Sequence, residues 1–88
     1  MRHAKERRSA VHHAEYQYLL KRLREARRRA GLTQVQVAKA LGRPQSFVTK
    51  CELGERRIDP VDLQGFAKLY RKPLSFFLPR KRMAERLR

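Results

Sequence analysis

The sequence has one cysteine, only eight acidic residues against 23 lysines and arginines, and no long apolar run. One cysteine cannot cross-link the fold, so no disulfide holds it. The apolar runs are shorter than the roughly 18 residues that a membrane-spanning helix needs, and no signal-peptide core is present. We therefore expect a soluble, cytoplasmic protein with no membrane partner.

Catalytic and metal-binding motifs are also missing. The sequence contains no HExxH, no GxSxG and no phosphate-binding loop, and its 88 residues are too few for a two-domain catalytic cleft. His12 and His13 would point about 100° apart on any helix, and His3 has no fixed relation to them. We expect no enzymatic activity, no cofactor and no metal site.

Positive charge is the feature that the sequence has in excess. The formal net charge is +15, and hydrophobic residues make up 41% of the chain, enough for a modest core. Such a charge favours a polyanionic partner, and nucleic acid is the first to consider. RNA stays an alternative on charge alone, although aromatic residues, at 8%, offer few platforms for stacking single-stranded bases.

Apolar spacing and helix-terminal residues predict an all-α fold with five short helices over residues 15–79. A basic N-terminal arm, 1–14, precedes this domain and is either frayed or a weak extension of the first helix. A basic C-terminal tail, 80–88, follows it. Helix 1 runs from Tyr16 to Ala30 on the i, i+3, i+4 spacing of an amphipathic helix.

The remaining helix limits follow from capping chemistry. Thr33 with Gln36 forms a predicted capping box at the start of helix 2. Pro44 is expected at the first position of helix 3, and Pro60, after the cap residue Asp59, at the first position of helix 4. The glycines at 31, 42 and 54 end helices 1 to 3, and a fifth short helix runs between the prolines at 73 and 79.

Helix 3 separates an apolar side from a polar side. Val48 and Cys51 are its inward pair, and Cys51 is interpreted as a small core residue. The outward residues carry amide, hydroxyl and ammonium groups and no acid; they are Gln45, Ser46, Thr49 and Lys50. Such groups can read base edges, and the alternative is an ordinary solvated helix face.

Two charged residues do not suit their positions. Arg27 lies on the apolar line of helix 1, and Glu52 lies near the C-terminus of helix 3, where the helix dipole disfavours an anion. Each misfit explains the other, so we predict an Arg27–Glu52 ion pair between helices 1 and 3. The alternative is that both side chains reach solvent.

Six segments of the chain carry a family pattern when they are taken together. They are Leu23-Arg24-Glu25-Ala26-Arg27, Gly31-Leu32-Thr33-Gln34, Val37-Ala38, Leu41-Gly42, Pro44-Gln45-Ser46-Phe47-Val48-Thr49-Lys50 and Glu52-Leu53-Gly54-Glu55-Arg56-Arg57. They resemble the xenobiotic-response-element (XRE) family of helix-turn-helix regulators, which share the lambda-repressor-like five-helix domain. The resemblance covers residues 16–78.

The resemblance implies a double-stranded-DNA-binding regulator, with helix 3 in the major groove. The matching positions make Gln45, Ser46 and Lys50 the expected base readers, with Thr49 a lesser candidate. The residues that match family positions near phosphates are Thr33, Gln34, Arg43, Arg56 and Arg57. Gln34 is further implied to brace Gln45. The sequence departs from the family pattern at Leu53, where an asparagine is frequent.

The family also implies how such a protein works. We expect a homodimer that represses transcription, because one recognition helix reads too few base pairs alone. The alternative is an antitoxin that binds both a toxin and operator DNA. Phe47 lies between the buried and outward sides of helix 3, so it either touches a thymine methyl or packs against the following loop.

Overall fold

The computed structural model describes the backbone of residues 2–79 and the side chains of residues 13–79. All regular structure in that part is helical, with four α-helices and one 3-10 helix: α1 (Arg2–Arg29), α2 (Gln34–Leu41), α3 (Gln45–Leu53), α4 (Pro60–Tyr70) and the 3-10 helix Leu74–Phe76. The all-α prediction is confirmed. No helix in the described part is both long enough and apolar enough to span a bilayer.

The prediction of a fifth helix between Pro73 and Pro79 is wrong in type, because the structure has no α-helix there. Only the three residues Leu74–Phe76 form a helix there, and it is of the 3-10 type. Pro73 caps this turn in an extended conformation, and six residues later Pro79 stops any continuation. A segment of that length cannot propagate α-helical hydrogen bonds. It serves instead to place Phe77, which is fully buried.

Helix α1 begins much earlier than its apolar spacing indicates. Its backbone is helical from Arg2 without interruption, so of the two alternatives for the arm at 1–14 the structure has the extension of the first helix. The basic tail at 80–88 lies outside the described residues.

Most helix limits follow the predicted caps. The Thr33 hydroxyl accepts from the Gln36 N–H at 3.1 Å, and the Gln36 side chain accepts from the Thr33 N–H at 2.9 Å, which confirms the capping box. Asp59 accepts from the Asp62 N–H at 2.7 Å, and Pro60 is the first residue of α4. Pro44 is corrected by one position: it is the N-cap of α3, because its ψ of 152° is extended.

Each of the four α-helices contributes to one core. Phe66 of α4 lies at its centre, with ring centroids 6.1 Å from Phe47 and 5.9 Å from Tyr70. The other buried apolar side chains are Leu20, Leu23, Ala26, Val37, Ala38, Val48, Cys51, Ala67 and Phe77. The inner side of α3 is therefore fixed against α1, α2 and α4, and its opposite side is left to solvent.

Candidate nucleic-acid interface

Helix α3 presents a polar face to solvent. Gln45, Ser46 and Lys50 are exposed, and Thr49 is half-buried beside them. On the other side, Val48 and Cys51 have no exposed surface. Burial raises the pKa of the Cys51 thiol, so at neutral pH it stays protonated and acts as a core residue. The exposed face offers donors and acceptors, and no acidic side chain lies on it.

The ion pair that the sequence predicts between α1 and α3 is present. Arg27 Nε donates to Glu52 Oε2 at 2.6 Å, and Arg27 Nη2 donates to Glu52 Oε1 at 3.2 Å. Arg27 Nη1 also donates to the Leu32 carbonyl at 3.0 Å. The hydrogen bond to Glu52 raises the pKa of Arg27, against the opposing effect of burial. This pair fixes α3 against the C-terminal part of α1.

Gln34, at the first position of α2, extends this network to the exposed face. Its Nε2 donates to Glu52 Oε1 at 3.0 Å, and its Oε1 accepts from the Thr49 hydroxyl at 2.7 Å. The resemblance implies Gln45 as the residue that Gln34 braces, but in the structure its α3 partners are Thr49 and Glu52. Glu52 holds the amide beside Thr49, which lies one turn beyond Gln45. Within the described part of the chain, the second amide hydrogen of Gln34 has no acceptor, so it can serve an external one.

These bonds change what Thr49 can do. Since its hydroxyl hydrogen is directed to Gln34, Thr49 offers an acceptor oxygen rather than a donor to a ligand. Gln45, Ser46 and Lys50 make no side-chain hydrogen bond to any residue in the described part of the chain. Their polar groups are therefore available to a partner.

Phe47 borders the exposed face of α3 on the side away from Thr49, and its side chain is buried. Its ring is 7% exposed and stacks on Phe66, with an angle of 5° between the ring planes. The guanidinium of Arg43 lies 4.2 Å from the ring centroid, and that of Arg56 lies 5.0 Å away. Arg43 also contacts Asp62 at 3.2 Å. Packing thus accounts for Phe47, and two cations cover the surface that a thymine methyl would need.

The expected phosphate-binding residues flank the exposed face on both sides. On a helix, positions 47 and 49 point about 160° apart. The contact to Thr49 places Gln34 on one edge of the face, and the contacts to Phe47 place Arg43 and Arg56 on the other. A polar surface with cations and an amide along its edges has the form that a groove between two phosphate backbones requires.

Thr33 and Arg57, the other expected phosphate-binding residues, are each held by local contacts. Thr33 is exposed, and its hydroxyl oxygen caps α2. Arg57, in the loop after α3, lies 5.0 Å from the Tyr16 ring centroid. The Tyr16 hydroxyl in turn accepts from the Ile58 N–H at 3.1 Å, which ties this loop to α1.

Sequence reasoning missed Arg24. Its Nη1 donates to the main-chain carbonyl of Glu52 at 2.9 Å, at the C-terminal end of α3. The only signal for it in the sequence is its place three residues before Arg27, on the same side of α1. Because that end of the helix carries partial negative charge, a cation there is stabilised.

Comparisons with known proteins agree with this arrangement. The family model described as helix-turn-helix domain matches residues 19–74. A solved structure of an XRE-family like protein from Pseudomonas syringae pv. tomato str. DC3000 is 40% identical, covering 88% of this chain and 87% of that chain, with a TM-score of 0.71. No curated protein matches the sequence. The chain therefore belongs to the helix-turn-helix domain family, with an XRE-family like protein among its relatives.

Proposed function

We propose that this protein is a sequence-specific regulator of transcription that binds double-stranded DNA with α3 in the major groove. Family membership supports a DNA-binding regulator, and this fold is typical of regulators that bind rather than catalyse. The observation that carries the proposal is the exposed, acid-free face of α3, with Gln34 along one edge and Arg43 and Arg56 along the other.

The base readers in this proposal are Gln45, Ser46 and Lys50. An amide can make paired hydrogen bonds to adenine N6 and N7, and an ammonium can donate to guanine O6 and N7. Serine can donate to or accept from either purine. The Thr49 hydroxyl donates to Gln34 and contributes an acceptor oxygen to DNA. The same bond fixes the orientation of this side of α3.

A second set of residues supplies affinity without sequence preference. Thr33, Gln34, Arg43, Arg56 and Arg57 contact phosphates in this proposal, and each cation that neutralises a phosphate releases condensed counterions. The net charge of +15 adds long-range attraction to DNA. We expect tight binding at low salt and a steep loss of affinity as salt rises.

The proposed working unit is a symmetric homodimer on a pseudo-palindrome. Helix α3 has nine residues, so one copy reads few base pairs, and two copies would read half-sites about 34 Å apart. Leu74 is 44% exposed and Leu78 is 46% exposed, and a second copy could cover this apolar surface. Occupation of the operator would repress transcription by excluding other proteins from that DNA.

An antitoxin that also binds its toxin is the second candidate. The same exposed leucines, Leu74 and Leu78, would then contact the toxin instead of a second copy. Co-purification of a second small protein would favour this candidate, whereas a homodimer that purifies alone would favour the regulator.

Lys50→Ala and Arg57→Ala separate base reading from phosphate binding. Lys50→Ala should cost about 1 to 3 kcal/mol on the cognate duplex and relax the preference at one base position, because it removes only the bond to a base. Arg57→Ala should weaken cognate and random duplexes alike and make the salt slope shallower by about 1. Fluorescence anisotropy titrations on both duplexes measure the difference. Equal weakening by the two variants on both DNAs would show that Lys50 does not read a base.

Selection of bound sites from a random duplex library tests the whole proposal. A pseudo-palindromic consensus with half-sites about one helical turn apart is expected. A consensus of one short, unrepeated site would contradict the symmetric dimer, and a lack of any enrichment would contradict sequence-specific binding.

A further inference from the structure

Helix α1 carries two parallel lines of charged residues that are used differently. One line, at positions 18, 22, 25 and 29, contains Glu25 between Arg22 and Arg29. The other line, at positions 17, 21, 24 and 28, contains no acid. We call Lys21, Arg24 and Arg28 of the second line the cationic stripe.

The cations of the first line are paired within the protein. Arg22 Nη1 donates to Glu25 Oε1 at 2.9 Å, and Arg29 Nη2 donates to Glu25 Oε2 at 2.6 Å. The Arg22 guanidinium also lies 3.6 Å from the centroid of the Phe76 ring and donates to the Phe76 carbonyl at 2.8 Å. These cations have partners in the folded chain, and Phe76 is covered by them.

Within the described residues, the cationic stripe has no such pairing. Lys21 and Arg28 are exposed, and neither forms a salt bridge with any acid in the described part of the chain. The stripe lines an open depression of about 420 Å³, whose one acidic lining residue, Glu25, already binds two arginines. The charge of the stripe is therefore available to an anion from outside.

Arg24 places the stripe relative to the recognition helix. Its hydrogen bond to the Glu52 carbonyl holds the middle of the stripe beside the C-terminal end of α3. In homeodomains, which are helix-turn-helix variants, the C-terminal end of the recognition helix contacts the sugar-phosphate backbone, and the same approach would bring the end of α3 towards phosphates. The stripe runs to both sides of that point, and its seven residue steps span about 10 Å along α1, which is close to the rise of three base pairs.

We propose that Lys21, Arg24 and Arg28 bind backbone phosphates of the DNA that flanks the bases read by α3. The inference rests on the proposed function, since it requires α3 to lie in the groove. It adds α1 as a phosphate-binding element and makes the bound site longer than the segment that is read. The complementary partner is the phosphate backbone, because the stripe offers three cations and no base-reading amide or hydroxyl.

The test compares two double variants on two duplexes. Lys21→Gln with Arg28→Gln removes two charges from the stripe and leaves Arg24 in its contact with α3. Arg29→Gln with Lys72→Gln is the matched control, since it also removes two charges, both beside Phe76. One duplex contains only the selected site, and the other adds about one helical turn, some 10 base pairs, on each side.

On the long duplex we expect the stripe variant to have a salt slope shallower by about 1.8, which is about 0.9 for each phosphate that the variant no longer neutralises. At about 0.1 M salt, the same relation gives an affinity loss of about eightfold per phosphate. On the short duplex the stripe variant should bind as the wild type does, and the control variant should lose far less on the long one. Circular dichroism confirms that both variants are folded.

Three outcomes would overturn the inference. Equal slopes for the stripe and control variants on the long duplex would mean that only net charge matters. Equal weakening of the stripe variant on both duplexes would mean that the stripe does not contact flanking DNA. Failure of the wild type to bind either duplex would instead contradict the proposed function itself, and the inference with it.

Discussion

At the scale of single residues, the fold depends most on Glu52. This carboxylate is 3% exposed and accepts from both Arg27 and the Gln34 amide. Burial of a charge is costly, and only such complete hydrogen bonding compensates for it. The network joins α1, α2 and α3 at one point. Since Thr49 is bonded to the same Gln34 amide, the network also orients the exposed face of α3.

Glu52→Gln should lower the free energy of unfolding by about 3 to 5 kcal/mol, because the Arg27 cation would stay buried without its anion. Glu25→Gln is the control. Its ion pairs are more exposed and should contribute at most about 1 kcal/mol. Urea denaturation followed by circular dichroism measures both. Equal destabilisation by the two substitutions would show that the buried pair has no special role.

The sequence predicted the Arg27–Glu52 pair but not the partner of Gln34. The pair could be inferred because both residues are unsuited to their positions unless they meet. Whether Gln34 bonds to Gln45 or to Thr49 could not be inferred, because these two residues lie one turn apart on the same helix. Which of them the amide reaches depends on where Glu52 holds it.

At the scale of helices, the connections at the C-terminal ends of α2 and α3 depend on glycines in the left-handed conformation. Gly42 has a φ of 66° and Gly54 a φ of 81°. A side chain at Gly42 would meet nothing within 4 Å, whereas a Cβ at Gly54 would lie 2.9 Å from Cδ1 of the buried Leu20. Gly54 is therefore required for close packing on α1 as well as for its backbone conformation.

Gly54→Ala should be more destabilising than Gly42→Ala. Both substitutions force alanine into the left-handed region, at a cost of about 1 to 2 kcal/mol. Only Gly54→Ala also overpacks the core, which typically adds about 1 to 3 kcal/mol. Thermal unfolding of the two variants gives the comparison, and equal melting temperatures would mean that Leu20 moves aside without cost.

Helix limits could be predicted wherever a local signal marks them. The capping box at Thr33 and the cap at Asp59 are such signals, because a few consecutive residues form them. The C-terminal end of α4 has none: Arg71 adopts the left-handed conformation that glycine usually supplies. The first turns of α1 were left open between two alternatives, and the helix after Pro73 was predicted without its 3-10 type, since neither segment has a strong apolar period.

At the scale of the whole molecule, the excess of positive charge opposes folding. A net charge of +15 on a chain of 88 residues repels itself in the compact state. Four ion pairs in the described part offset some of this repulsion, and one of them joins the buried Glu52 to the half-buried Arg27. Bound DNA would remove much of the remainder, so DNA binding should stabilise the fold.

Added salt should therefore raise the melting temperature of the free protein. Raising sodium chloride from about 0.01 M to about 0.15 M shortens the Debye length from about 30 Å to about 8 Å, which screens repulsion between distant cations more than it weakens close pairs. Scanning calorimetry over this range measures the effect. The control variant Arg29→Gln with Lys72→Gln, with two fewer charges, should respond less. A melting temperature that falls with salt would show that the ion pairs outweigh the repulsion.

Sequence signals were enough to predict the all-α class, most of the helix caps, the inward side of α3 and the Arg27–Glu52 pair. These features depend on residues a few positions apart, or on two charges that each need a partner. The folded structure was needed to show that Gln34 bonds to Thr49, that Phe47 lies beneath two arginines, and that one line of α1 has no acidic partner within the described residues. The physical reason is competition: 23 basic side chains share eight acids, and distance in the folded chain selects which of them pair.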